Sequence, residues 1–186
     1  MLSWRGSRPP GPCSAMKPDS PQDHAGQESE LDELYREVIL DHYRSPRHHG
    51  SLASATVERE GLNPLCGDEI SVALKVEDGT ITDIAFKGSG CSISQSSASM
   101  MTDVVLGKSL ADVATVFHDF TAMMQGSDEV DPLDMGDLES LTGVRKFPVR
   151  VKCATLAWHT LQEALGVLSE RGSAPEDGPD HSKPPA

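Results

Sequence analysis

Four cysteines occur in the chain, and three of them sit beside turn signals rather than inside apolar runs. Cys66 belongs to NPLCGD, where Asn-Pro before it and Gly after it predict a turn entering a strand, and Asp68 follows two residues on. Cys91 leaves a predicted strand through Gly88-Ser89-Gly90 and opens a helix in KGSGCSISQSSASMM. Cys153 follows Pro148 and falls in the first turn predicted for the last helix. A helix N-terminus carries roughly +0.5 of a unit charge and unsatisfied N–H donors, which favour an anion and lower a thiol's pKa. The thiolate is the form that binds metal and attacks sulfur. Glycines ahead of Cys91 let backbone crowd close, and the small serines behind it permit tight helix packing without bulk over the site.

The spacing is C-x-D-x22-C-x61-C. In a hairpin the start of one strand lies beside the end of the next, so Cys66 and Asp68 are expected to approach Cys91, while Cys153 has to arrive by tertiary packing. Three sulfurs and one carboxylate make a donor set that suits tetrahedral zinc. No CxxC pair is present, and free cysteines also serve as small buried hydrophobes, so the residues by themselves leave both readings open. Cys13 lies in the stretch predicted as a disordered tail, and the three thiols that remain, an odd number in a reducing compartment, argue against a disulfide framework.

The elements that must position these groups read as α+β. LDELYREVILDHYRSP places Leu31, Leu34, Tyr35, Val38 and Ile39 at helical spacing and ends at Pro46. A strand is predicted near Ala55 to Glu60, then a hairpin in ISVALKVEDGTITDIAFKG turning on Asp78-Gly79, the pair a type I′ turn wants. Three helices are predicted after it: Ser92 to Leu106 closed by Gly107, Ser109 to Met124 opened by a Ser109/Asp112 capping box, and Val151 to Ser169. The acidic stretch 125–146 fits neither period.

The ends differ in kind. Residues 1–30 and 172–186 are rich in Pro, Gly, Ser and charge without an apolar period, and composition predicts disordered tails around one domain, 31–171. Met16 is an alternative start to Met1. A net charge of −13 opposes phosphate backbones and anionic membrane surfaces, so nucleic acid and membrane are not expected partners. No apolar run of signal-peptide or membrane-spanning length occurs, which makes the cytoplasm the default compartment.

LYREVILDHYRSPRHHG, NPLCGDEI, GSGCSISQSSASMM and VRVKCATLAWHTL, in that order across about residues 31 to 168, resemble the signatures of the NifU/IscU-like family of iron–sulfur cluster assembly proteins, within it the SufU branch. The resemblance implies an IscU-like α+β fold, a small antiparallel sheet of about three strands with helices packed on one face. It also implies that Cys66, Asp68, Cys91 and Cys153 fall on the family's metal positions. IscU-type scaffolds carry a histidine immediately before the last cysteine, whereas this chain has Lys152, and 125–146 resembles the insertion that lengthens the SufU branch. That branch implies a zinc site and a sulfur acceptor working with the cysteine desulfurase SufS, with Arg150 at a position the branch uses with its desulfurase. By the same resemblance, a desulfurase histidine would take a place on zinc and free Cys66 to accept sulfur, leaving Asp68, Cys91 and Cys153 on the metal.

Two readings of different class follow: a zinc-dependent sulfurtransferase, which Lys152 favours, and a scaffold that builds a [2Fe-2S] cluster and passes it to apo-acceptor proteins. A purely structural zinc knot is a third. Downstream assembly or acceptor proteins are implied partners in the first two. His42, His48, His49, His118 and His159 are read as surface or interface residues and not as ligands; Met100-Met101 and Met123-Met124 are read as packing. GSGCS lacks the GK[ST] ending of a phosphate loop, and no G-x-S-x-G elbow occurs.

Overall fold

The computed structural model describes residues 21–127 and 129–172. In chain order the elements are α1 (Pro21–Arg44), β1 (Val57–Asn63), β2 (Asp68–Glu77), β3 (Thr80–Ser89), α2 (Ser92–Val105), α3 (Leu110–Gln125), a 3₁₀ segment (Pro132–Lys146) and α4 (Pro148–Gly172). Helix α1 therefore takes in residues 21–30, which composition assigns to the tail. Pro21 opens it, where the missing N–H costs nothing, and no further proline follows before Pro46. The remaining tail residues, 1–20 and 173–186, lie outside the described ones. Val38 and Ile39 pack on the core, but Leu34, predicted on the same stripe, is 62% exposed.

The sheet is antiparallel in the order β1-β2-β3. Asp78 (φ 50°) and Gly79 (φ 73°) both take positive φ, as a type I′ turn requires, and the hairpin forms where the Asp-Gly pair predicts it. A bulge between Lys75 and Val76 shifts the register near the turn. Ile70, Val72, Leu74, Ile84 and Phe86 are buried in one core with α2 and α4. Each such side chain contributes about 1.5–3 kcal/mol by leaving water. The opposite face is polar: Lys87 pairs with Glu58 at 2.9 Å, and Ser71 donates to Glu58 at 2.7 Å.

The serine run of α2 is buried at Ser94, Ser96, Ser97 and Ser99. Ser97 donates to the Ala154 carbonyl at 2.6 Å and accepts from the Trp158 indole at 3.2 Å, so small side chains let α2 and α4 pack closely with their polar atoms satisfied. Trp158 stacks on Phe120 of α3, ring centroids 4.3 Å apart. Helix α3 begins as its capping box predicts, with the Asp112 N–H donating to Ser109 Oγ at 3.1 Å. Met100, Met101, Met123 and Met124 are core.

The acidic stretch owes its ambiguity to its period. Leu138, Leu141 and Val144 are its buried apolar residues, three apart, which is the repeat of a 3₁₀ helix and not of an α-helix. Gly136 (φ 58°) kinks the segment near its start. Helix α4 starts at Pro148, three residues before the predicted Val151, and this moves Cys153 from the first turn into the second.

Candidate metal centre

Asn63 ends β1 directly opposite Asp68, which begins β2. Between them the Asn63 carbonyl accepts the N–H groups of Cys66 (3.2 Å) and Gly67 (2.8 Å), and Gly67 has φ 69°. The result is a tight turn that holds Cys66 exposed at the surface. Across the sheet, β3 ends at Ser89 and Gly90 leads to Cys91, the residue that caps α2. The Cys91 N–H donates to Asp68 Oδ1 at 3.0 Å, and Cys91 Sγ lies 3.6 Å from Asp68 Oδ2. Asp68 is 2% exposed. A Cβ on Gly90 would stand 2.9 Å from Asp68 Cγ and Oδ1, so a glycine is what lets the carboxylate sit against this corner.

From the other side of the fold, Cys153 of α4 brings its Sγ to 3.2 Å from Cys66 Sγ. One donor atom from each of Cys66, Asp68 and Cys153 lies within 4.8 Å of the others. Cys91 joins this group through Asp68. Three of the four residues that spacing singles out meet in this group, and Cys91 touches it at Asp68 without its sulfur falling within 4.8 Å of every member. Two sulfurs on one tetrahedral zinc stand about 3.8 Å apart. The Cys66–Cys153 pair would open by a fraction of an ångström to admit the ion, and the Cys91–Asp68 separation already matches. Cys66, Asp68 and Cys153 therefore fit zinc, and Cys91 would complete the set by closing in from its contact with Asp68.

Cys153 departs from its sequence reading. It is 2% exposed, and burial pushes its thiol well above the ordinary range, with hydrogen bonds it donates to Asp68 and Cys66 and the charge of Cys91 adding in the same direction. A helix N-terminus does not activate it, because the helix begins a turn earlier and the side chain points into the interior.

Arg150 is exposed in the first turn of α4, its guanidinium 5.9 Å from the Phe147 ring centre, and no hydrogen bond or ion pair among the described residues ties it to the sulfurs. None of the five histidines enters the cluster: His48 pairs with Asp103 (3.3 Å), His49 packs on Phe86, His118 faces Asp119, and His159 packs on Phe117. His42 is buried, at 1% exposure, between Ser99 Oγ (2.8 Å) and Asp137 Oδ2 (3.0 Å), and joins α1 to α2 and the 3₁₀ segment. Sequence reasoning missed Asn63, whose Nδ2 donates to Cys153 Sγ at 3.6 Å. Its local signal was an Asn two residues ahead of an N–H it can accept, that of Leu65 at 3.2 Å; its sulfur partner is 90 residues away.

The profile of the family described as the NifU-like N-terminal domain matches residues 34–154, a span that holds all four donors. The chain belongs to this family. This NifU-like domain is 46% identical over 142 residues to the zinc-dependent sulfurtransferase SufU of Bacillus subtilis (strain 168), covering 76% of the chain and 95% of the relative. It is 47% identical over 138 residues to the iron-sulfur cluster assembly scaffold protein IscU of Streptococcus pyogenes serotype M1, covering 74% and 86%. The solved N-terminal structure of a nitrogen-fixing NifU-like protein from Brucella abortus superposes with a TM-score of 0.68 over 76% of this chain and 98% of that one; at 23% identity it speaks for the fold alone. Among the described residues of this NifU-like domain, no helix is long and apolar enough to cross a membrane.

Proposed function

We propose that this protein serves iron–sulfur cluster assembly as a zinc-bound sulfur acceptor, with Cys66, Asp68, Cys91 and Cys153 as ligands and Cys66 as the thiol that takes sulfane sulfur from the cysteine desulfurase SufS. The carrying observation is the convergence of Cys66, Asp68 and Cys153 within 4.8 Å. Bound there, zinc would keep its thiolates deprotonated at neutral pH and bring no redox chemistry of its own. Cys66 is the accepting sulfur because it stands exposed on a turn, whereas Cys153 is enclosed by the core. Its thiolate attacks the terminal sulfur of the desulfurase persulfide; the S–S bond there breaks, Cys66 gains the S–SH group, and the desulfurase thiolate leaves.

Leu65 (63% exposed), Phe147 (56%) and Val149 (54%) flank the thiols in sequence and offer apolar surface for the desulfurase, with Arg150 supplying charge at its margin. Cys66 and Cys91 as free surface thiols suit a reducing compartment, the cytoplasm. Downstream, an assembly or apo-acceptor protein would take the sulfur.

A scaffold role for a [2Fe-2S] cluster is the second reading, favoured by the 47% identity to the Streptococcus relative. One experiment separates them. The purified protein is analysed for metal, incubated with SufS and cysteine, and peptide-mapped by mass spectrometry. About one zinc per chain and a single added sulfur on Cys66, absent in Cys66→Ser, supports transfer. A coloured cluster that moves to an apo-ferredoxin, with no sulfur retained on Cys66, supports the scaffold instead.

A further inference from the structure

Two sulfurs 3.2 Å apart would do different jobs at this site, and one residue addresses both of them. Asn63 is 5% exposed. Its backbone carbonyl accepts the N–H groups of Cys66 and Gly67 and so shapes the turn that presents Cys66. Its side-chain Oδ1 accepts the Leu65 N–H at 3.2 Å, which leaves only Nδ2 to face the interior, where it meets Cys153 Sγ at 3.6 Å. The Leu65 contact fixes the amide's orientation, because reversing it would set two N–H groups against each other there. Among the described residues no N–H is donated to Cys66 Sγ, so the two sulfurs are unequal in this respect.

That inequality has a chemical meaning. An N–H aimed at a thiolate stabilises its charge, draws electron density from the sulfur and makes it a better-held, less nucleophilic donor. Cys153 would be the sulfur that stays, and Cys66 the one that leaves to do chemistry. On the metal-site reading above, we infer that Asn63 is a positioning residue that fixes Cys153 as the retained thiolate ligand and thereby makes Cys66 the exchangeable one.

Two variants separate the amide's halves. Asn63→Asp keeps an oxygen for the Leu65 N–H but puts a second oxygen where the donor was, and Asn63→Ala removes both. Zinc and cobalt(II) affinity are measured on the full chain by competition with a chromophoric chelator, together with the sulfur-to-cobalt charge-transfer band and the thermal midpoint without metal. Both variants are expected to lose roughly 10–100-fold in affinity, as outer-shell partners of metal ligands do, with the charge-transfer band moving to lower energy. Asn63→Asp buries a carboxylate and is expected to lower the metal-free midpoint, so affinity and spectrum are read at a temperature where that variant is folded. Affinity and spectrum equal to the parent in Asn63→Asp, or tighter binding by it, would overturn the inference, whatever Asn63→Ala does to folding. If the parent itself takes up neither metal, it is the metal-site reading that fails.

Discussion

Substituting Gly90 by alanine tests how closely the fold is built around its buried carboxylate. The new Cβ would stand 2.5 Å from Ser94 Oγ and 2.9 Å from Asp68 Cγ and Oδ1. The serine hydroxyl can swing away. The carboxylate is 2% exposed, begins β2 and holds the Cys91 N–H at 3.0 Å, so making room for a methyl group means giving up that bond. A hydrogen bond to a charged group is worth about 1.5–3 kcal/mol, and its loss leaves a donor at the start of α2 without a partner. We therefore expect a cost of about 2 kcal/mol, which for a chain of this size lowers the melting temperature by about 4–8 °C. Thermal unfolding followed by circular dichroism in the presence of chelator reads this directly. Gly143→Ala is the control, since a Cβ there meets nothing within 4 Å. Zinc affinity should fall along with stability, because the displaced group is a proposed ligand. If Gly90→Ala melts within about 1 °C of the parent and binds zinc as tightly, the corner is not as crowded as described and the reasoning fails.

Other perturbations probe the parts that hold the site from outside. His42→Ala removes hydrogen bonds at 2.8 and 3.0 Å and opens a cavity between α1 and α2, so urea unfolding should show a loss of roughly 3 kcal/mol with zinc affinity unchanged; a loss of zinc would contradict its structural role. The Tyr35 phenol donates to Glu139, and this bond, with burial behind it, raises the phenol pKa from 10.0 to about 12. A raised acid stabilises the fold fully below its unfolded pKa and loses that contribution as pH climbs toward the folded one. The contact should weaken between about pH 10 and 12, one of the two tyrosines should titrate late by absorbance, and Tyr35→Phe should abolish that late phase.

Where a feature depends on neighbours in the chain, the sequence announces it. Asp78-Gly79 specifies the hairpin, Ser109 and Asp112 specify the start of α3, and Gly90-Cys91 marks the corner where strand gives way to helix. The approach of Cys91 to Asp68 follows from hairpin register, so it too is legible before any coordinates are seen. What escapes is set at long range. The burial of His42 rests on Ser99 and Asp137, which lie 57 and 95 residues away, and the same histidine on a lone helix would read as surface. The 3₁₀ segment hides its period of three from a search tuned to 3.6 or 2. Cys153 falls a turn further into its helix than the sequence predicts, because Pro148 is the helix's first residue and not a boundary before it.

The contact between residues 66 and 153 has a consequence in time as well as in space. A ribosome delivers the chain from the amino end, so a nascent polypeptide already owns its hairpin, Cys66 and Cys91 while the final helix is still in the exit tunnel. Such a fragment has no complete cage to offer an ion. On the proposed metal site, loading would wait until almost the whole domain has been made, and a product truncated before Cys153 would lack one of the converging donors.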